Sequence, residues 1–518
     1  MRGVMVDAAR VPEDIAYYRR VIGFCSDWEL NTLQFRLTDD QGSALRFSSV
    51  PHLIEHPHAF MPDALHKLVE YGAVHGVNLL PEVEAFGHTG YITRSPAYAH
   101  LLDRDPQGSA EFTGIIPVHP ESPELFDNLF REIATIFPSK YLHGGCDEVN
   151  WGGSALSRQA LQTQTRADIW AAWLNQLNRL VQSLGKTFIV WGDVVLGKES
   201  SVLPKLHKSI VIMDWNYWDA DPVPFRNSLA RVRGNGSRGI GAPGLISYRW
   251  GPRPGTSQLG NIDAFADVYL GSQDPASLGV ILTNWVPSRY IQNSLWDGFA
   301  YAAIAFNNGT ADARSRAFRS FVQRHWAARW NDTWRQVFAL LYDAAPIYGN
   351  EKETTPLGLR LPVPFSTEAE LSVALKNRSN PANPFPRLRE LLVAVQPSVT
   401  KNVRDFEALL LSVRYLEVLF WRQSAIHEGT TTKRLDRESA GNLMQTIAAR
   451  DRSLLDDLNK DWDAGRPDDS PAKLMPLYGM NPKDQLVFQW SRAAAFSAEL
   501  SAHPDRLFAA LRSVDLLE

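Results

Sequence analysis

IWAAWLNQLNRLVQSLGKTFIVWGD, residues 169–193, contains one complete structural repeat. Apolar residues at helical spacing lead to Gly185, a C-cap residue, and the short apolar run TFIVW then ends in Gly192 and Asp193. The same rhythm recurs from the start of the chain to about residue 308. Its apolar runs are VMV near residue 5, NTLQFRL from Asn31, GVNLLPEV from Gly76 and KYLHGG from Lys140. They continue with TFIVWGD from Thr187, SIVIMDW from Ser209, APGLISY from Ala242 and GVILTNW from Gly279. Eight strand-like units alternating with amphipathic stretches predict a parallel sheet closed into a (β/α)8 TIM barrel. No glycine-rich phosphate fingerprint follows the first run, which argues against an open doubly wound sheet.

Beyond about residue 310 the strand-like runs give way to long helical patterns, among them RSRAFRSFVQRHWAARW and DFEALLLSVRYLEVLFWRQSAI. A chain of 518 residues exceeds one ordinary core, so two domains are expected. They are a catalytic barrel over 1–308 and an α-helical C-terminal domain over 309–518. The proline-rich TTPLGLRLPVPF reads as a surface loop within the second.

The net charge of −4 argues against a nucleic-acid partner, which calls for a basic surplus. No window approaches 18 uninterrupted apolar residues, so no membrane span is expected. Cys25 and Cys146 are the only cysteines, too few for a disulfide framework. No charged segment followed by an apolar one precedes GVMVDA, which gives a cytoplasmic expectation for the sequence as given. The abrupt entry into that run also suggests a missing upstream segment. The 16 tryptophans are mostly core, although an indole face also suits the apolar side of a sugar ring.

Barrels carry their functional groups at the C-terminal ends of the strands. The candidates there are Asp7, with Arg2 at the start of the same run, and Asp40 in TDDQ. The third run supplies Glu82, Glu84 and His88, and the fourth supplies His143, Asp147 and Glu148. The later runs end in aromatic residues: Trp191 with Asp193, Trp215 with Tyr217 and Trp218, Tyr248 with Trp250, and Trp285 after Asn284. Glu82 reads equally well as an ion-pair partner on the barrel floor, and His143 as a buttress of its strand. Cys146 reads as a small apolar filler, since no basic neighbour in sequence would activate it. No metal-ligand spacing and no cofactor motif is present. Acids, a histidine and flat aromatic walls on one face are the equipment of a glycoside hydrolase. Neighbouring side chains near a strand end are expected to diverge, which makes Asp147 and Glu148 a poor pair for flanking one bond.

RGVMVDAAR, LTDDQG, PEVEAFGHTG and HGGCDEV together resemble, in order, the signatures of glycoside hydrolase family 20, the β-N-acetylhexosaminidases. The resemblance covers about residues 1–300. It implies an exo-acting, retaining, substrate-assisted enzyme acting on N-acetylhexosamine-containing oligosaccharides or glycoconjugates through an oxazolinium-like intermediate. In that scheme Glu148 is the general acid and then base, and Asp147 orients the acetamido group. Arg2 matches the arginine that binds sugar hydroxyls, while Asp40 and His88 support the sugar and the acid/base residue. Trp191, Trp215 and Trp285 match the aromatic walls. Tyr248, with Tyr217 as its rival, matches the tyrosine that bonds the acetamido oxygen. The chain departs from the family in placing Cys146 where glycine is usual and Arg36 where histidine is usual. It also lacks the glutamate expected within NWVPSR. A retaining glycosidase with a carboxylate nucleophile and a catalytically silent sugar-binding barrel are the competing readings. The helical region is expected to pack on the barrel and to support a homodimer.

Overall fold

The computed structural model describes residues 1–107, 114–246, 253–343, 364–375, 383–431, 436–466 and 486–512. Eight parallel strands form the centre: β1 (Arg2–Asp7), β2 (Thr32–Arg36), β3 (Asn78–Glu82) and β4 (Tyr141–His143), then β5 (Thr187–Trp191), β6 (Val211–Trp215), β7 (Arg238–Ala242) and β8 (Ser277–Asn284). Each pairs with the next, and β8 pairs back onto β1 with Arg2 opposite Val280, which closes the barrel. The alternation of side chains along each strand separates two apolar layers. Met5, Leu80, Ile189, Met213 and Ile281 fill the interior, whereas Val4, Val6, Leu79, Phe188 and Val190 pack outward against the helices.

The outer ring comprises α1 (Ile15–Asp27), α2 (Pro62–Val74), α3 (Ser122–Ile136) and α4 (Arg166–Ser183), followed by α5 (Pro222–Gly234), α6 (Thr256–Ala266) and α7 (Trp296–Asn308). Helix α4 starts in a reciprocal Thr165–Asp168 capping box, and Gly185, at φ 72°, lets the chain turn out of it into β5. The β5–β6 connection departs from the regular pattern. It carries only short helical turns at Val194–Lys198 and Leu203–Lys205, in a segment interrupted by Gly197 and Pro204.

Beyond α7 the described elements are helices, starting with α8 (Ala313–Arg324) and including the long pair Val403–Thr431 and Arg437–Gly465. They share the barrel's outer core: Phe24, Trp28 and Trp296 belong to one apolar cluster with Phe321, Trp326, Trp334 and Phe406. Polar bonds cross the same boundary. Arg466 reaches buried Glu13 with Nε 2.8 Å from Oε2, and Arg20 grips both Asp405 oxygens at 2.6 and 2.7 Å. Among the described residues no helix is long and apolar enough to cross a membrane.

Candidate active site

The chemistry collects where β1 to β6 and β8 end. Strand β4 stops at His143, and the chain then takes left-handed conformations at Gly145 (φ 61°), Cys146 (φ 73°) and Glu148 (φ 46°). That path folds Asp147 and Glu148 toward the same neighbour. His88 Nε2 lies 3.8 Å from Asp147 Oδ2 and 3.4 Å from Glu148 Oε2. The two acids therefore do not diverge as the pleat rule predicts, because strand geometry has already ended at His143. Their environments differ: the Glu148 side chain is 38% exposed and that of Asp147 only 8%.

On its other edge His88 Nδ1 lies 3.3 Å from Asp40 Oδ2, and Asp40 Oδ1 accepts from Gly90 N–H at 2.9 Å. Burial works against a charged imidazole here. The carboxylates of Asp147 and Asp39, with hydrogen bonds to Asp40 and Glu148, outweigh it and raise the His88 pKa well above the ordinary value. Burial would raise Glu148, but the hydrogen bond and charge of His88 hold it below its usual range. Asp147 is raised, chiefly by burial, against the pull of His88 and Arg36. One ligand atom each from His88, Asp147 and Glu148 falls within 4.8 Å of the others, close enough to hold a cation. A protonated His88 opposes that use, since its Nε2 then has no lone pair to give.

Asp193, after β5, accepts the Glu148 N–H at 3.2 Å. Burial, with the nearby Asp147 charge, pushes its carboxyl up to about 7. The folded site thus binds this proton more tightly than the unfolded chain does. The associated stability is complete below the ordinary aspartate pKa and is lost as pH rises through about 7. Asp193→Asn should therefore flatten the fall in thermal midpoint between pH 5 and pH 8, as scanning calorimetry at the two pH values would show.

Beneath the acids lies a buried ionic knot. Arg36, fully enclosed, bonds Asp39, places Nη2 2.7 Å from Glu84 Oε1 and Nε 3.2 Å from Glu82 Oε1, and lies 3.7 Å from Asp7. Glu84 Oε2 in turn accepts the Cys146 N–H at 3.0 Å. Glu82 also accepts from Gln34 (2.6 Å) and from Trp191 Nε1 (2.9 Å). His143 packs against Trp191 at 4.6 Å between ring centroids, and burial lowers its pKa to about 3, so it stays neutral.

The conformation at Cys146 explains why glycine suits that position: φ 73° is a region that residues with a Cβ enter at a cost. Burial also pushes the Cys146 thiol well above its ordinary pKa, which opposes a nucleophilic role. Gly145 has no such tolerance, because a Cβ there would lie 1.8 Å from Glu84 Oε2. Cys146→Gly is expected to keep activity within about twofold and to change stability by no more than ~1 kcal/mol. Gly145→Ala should displace Glu84 and lose most activity; melting curves and turnover on both variants check this.

Aromatic rings form the wall. Trp191 and Trp285 lie 5.6 Å apart, Trp285 Nε1 donates to Tyr217 Oη at 2.8 Å, and Trp215 stacks on Tyr217 at 5.1 Å. Tyr217 is thus in the site, while Tyr248 and Trp250 lie outside the described residues.

Arg2 is the sequence expectation that the structure places elsewhere. It opens β1, and its N–H donates to Asn31 Oδ1 at 3.0 Å, ahead of the first residue of β2. Strand rise of about 3.3 Å per residue puts it roughly 16 Å from Asp7, at the opposite end of the barrel. Arg10 lies instead at the mouth, just beyond the end of β1. Its Nη1 is 2.8 Å from Asp7 Oδ2, its Nη2 is 3.1 Å from Asp39 Oδ2, and its guanidinium lies 5.5 Å from the Trp285 ring centre. The pairing rule for the signal was available in the sequence, since Arg10 follows Asp7 and Arg2 precedes the whole strand.

A buried histidine holding two unequal acids, beside an arginine and a tryptophan wall at the strand ends, is the arrangement of a glycoside-hydrolase barrel. The model of the glycosyl hydrolase family 20 catalytic domain matches residues 1–244. Over those residues the barrel of this chain is similar to that family's catalytic domain. A beta-hexosaminidase of Vibrio furnissii is 25% identical over 248 residues, covering 41% of this chain and 39% of that protein. A beta-N-acetylhexosaminidase of Cellulomonas fimi is 28% identical over 280 residues, covering 50% of each. The chain thus spans half or less of the length of these curated relatives. The chitobiase structure of Flavobacterium johnsoniae matches the fold with a TM-score of 0.51 at 16% identity, over 96% of this chain and 78% of that one.

Proposed function

We propose that the protein is an exo-acting, retaining β-N-acetylhexosaminidase that removes terminal β-linked GlcNAc or GalNAc from oligosaccharides or glycoconjugates by substrate-assisted catalysis. The observation that carries this is the closeness of the two acids, whose oxygens lie within 4.8 Å of one another around His88. Both acids thus face one imidazole from a single turn instead of standing across a bond from each other, a disposition that suits a nucleophile supplied by the substrate. Asp193 is a poor substitute, since its carboxyl is pushed up to about 7.

In the proposed sequence Asp147 accepts the acetamido N–H and turns the acetamido oxygen onto the anomeric carbon. As that C–O bond forms, the glycosidic C–O bond breaks and Glu148 gives the departing oxygen a proton. His88, its pKa raised by the carboxylates around it, lies with Nε2 3.4 Å from Glu148 and is placed to hand Glu148 the proton that it passes on. Water then adds to the anomeric carbon, Glu148 takes its proton, and the oxazolinium ring opens with net retention. Arg10 supplies a fixed donor fork for ring hydroxyls, and Trp191, Trp215, Trp285 and Tyr217 enclose the N-acetyl group.

A panel of chromogenic β-glycosides of GlcNAc, GalNAc, 6-sulfo-GlcNAc and glucose tests the assignment. Turnover of the N-acetyl sugars and neglect of the glucoside is the expected result; preference for the glucoside would refute it. Within this panel Arg10→Met should lower kcat/KM by roughly 10- to 150-fold, the value of about 1.5–3 kcal/mol for a hydrogen bond to a charged group. Arg2→Met should leave it within about twofold, as steady-state kinetics on both variants would show.

A further inference from the structure

A cavity of about 420 Å³ opens on the flank of the barrel, between α1, α2, the start of α7 and the helical region. Its lining comes from the outer helices and from the turn at Lys401 and Asn402, with no strand-end residue, so it is separate from the candidate active site. Its charge is unusual for a chain with a net charge of −4. Arg19, Arg20, Arg324 and Lys401 line it, against Asp27 as the one acid of the described lining.

Arg20 is already committed to Asp405, which also takes His325 Nε2 at 2.8 Å. Arg19, Arg324 and Lys401 meet no carboxylate among the described residues. Two of these cations are held over rings: Arg324 lies 4.4 Å from the Trp28 centre, and Arg19 lies 5.6 Å from that of Tyr71. Arg324 is fixed further by a hydrogen bond to the Asp27 carbonyl. Guanidinium groups fixed in this way lose little freedom on binding, and their donor fork matches an oxyanion. The volume is far larger than a bare anion needs and falls in the range of small-molecule sites.

We propose that this cavity is a second, non-catalytic site for a monosaccharide-sized molecule bearing an oxyanion ester, a phosphorylated or sulfated sugar. Arg19, Arg324 and Lys401 grip the ester, and the aromatic walls exclude water around the ring. The proposal does not depend on the catalytic reading.

Calorimetric titration of the full chain with N-acetylglucosamine 6-phosphate, its 6-sulfate, unsubstituted N-acetylglucosamine and inorganic phosphate tests it. The comparison protein is Arg19→Gln/Lys401→Gln, two exposed positions, with a thermal melt to confirm folding. One-to-one binding of an ester to the wild type, weakened at least tenfold in the double variant and by added salt, is expected, with chromogenic turnover unchanged. Tighter binding of the phosphate or of the sulfate ester identifies which ester the site takes, and either result supports it. Equal ester binding by wild type and double variant, or no ester binding, would overturn the site. Inorganic phosphate or the plain sugar binding as tightly as the esters would overturn the ester assignment. Arg324→Gln provides a second variant, expected to weaken the same ester to a similar degree.

Discussion

Glu148→Gln is expected to lower kcat/KM by about 10²–10⁴ on an oligosaccharide or methyl glycoside, the range of a general acid–base contribution. The reason is local. Glu148 is the more exposed of the two acids and stands 3.4 Å from the imidazole placed to hand it a proton. Glutamine keeps the shape and can neither receive that proton nor release it. A leaving group that departs without protonation, such as dinitrophenolate, should lose much less in the first step. The contrast between the two leaving groups separates a missing acid from a distorted site. An equal, small loss on both substrates would remove Glu148 from the role.

Arg36→Met should have the largest effect on stability, of about 3–5 kcal/mol, the cost of breaking a buried ion pair from one side. Methionine fills much of the volume but leaves Asp39, Glu82 and Glu84 enclosed without their shared cation. Burial and the Asp147 charge already raise Glu84 well above the ordinary range, and Arg36 is a charge that opposes this. Without it Glu84 should be raised further, favouring the neutral carboxyl, which holds the Cys146 N–H more weakly and loosens the turn that carries Asp147. Against a total stability of about 5–15 kcal/mol this loss is large. Urea unfolding reads it directly, and an unchanged midpoint would contradict the role assigned to the knot. Arg36→Lys should recover little, because one ammonium cannot reach several carboxylates in a fixed fork.

Much of this site was legible because barrel strands have a direction. Asp40, His88, Asp147, Glu148, Trp191, Trp215 and Trp285 all lie at or just beyond strand ends, and the structure gathers their neighbourhoods at one mouth. Arg2 misled for the same reason in reverse, since it resembles a motif residue but starts its strand. Arg36, Glu82 and Glu84 were visible only as polar residues in apolar runs. Their spacing of two puts Arg36 with Gln34, and Glu84 with Glu82, on the inward face, yet nothing in one strand states which charges meet across the barrel. The turn at Cys146 was hidden because a left-handed residue that is not glycine leaves no mark in composition. The flank cavity was hidden further, since Arg19 and Lys401 are brought together only by the packing of the helical region on α1.

The most direct test of the central claim, that the substrate's own acetamido oxygen attacks while Asp147 holds its N–H, is a rate series on one aryl hexosaminide carrying N-acetyl, N-fluoroacetyl, N-difluoroacetyl and N-trifluoroacetyl groups. Each fluorine makes the acyl oxygen a weaker nucleophile with little change in size. A steep and steady fall of kcat/KM along the series is the expected result. A flat profile would contradict that claim and move the nucleophile to a carboxylate of the protein.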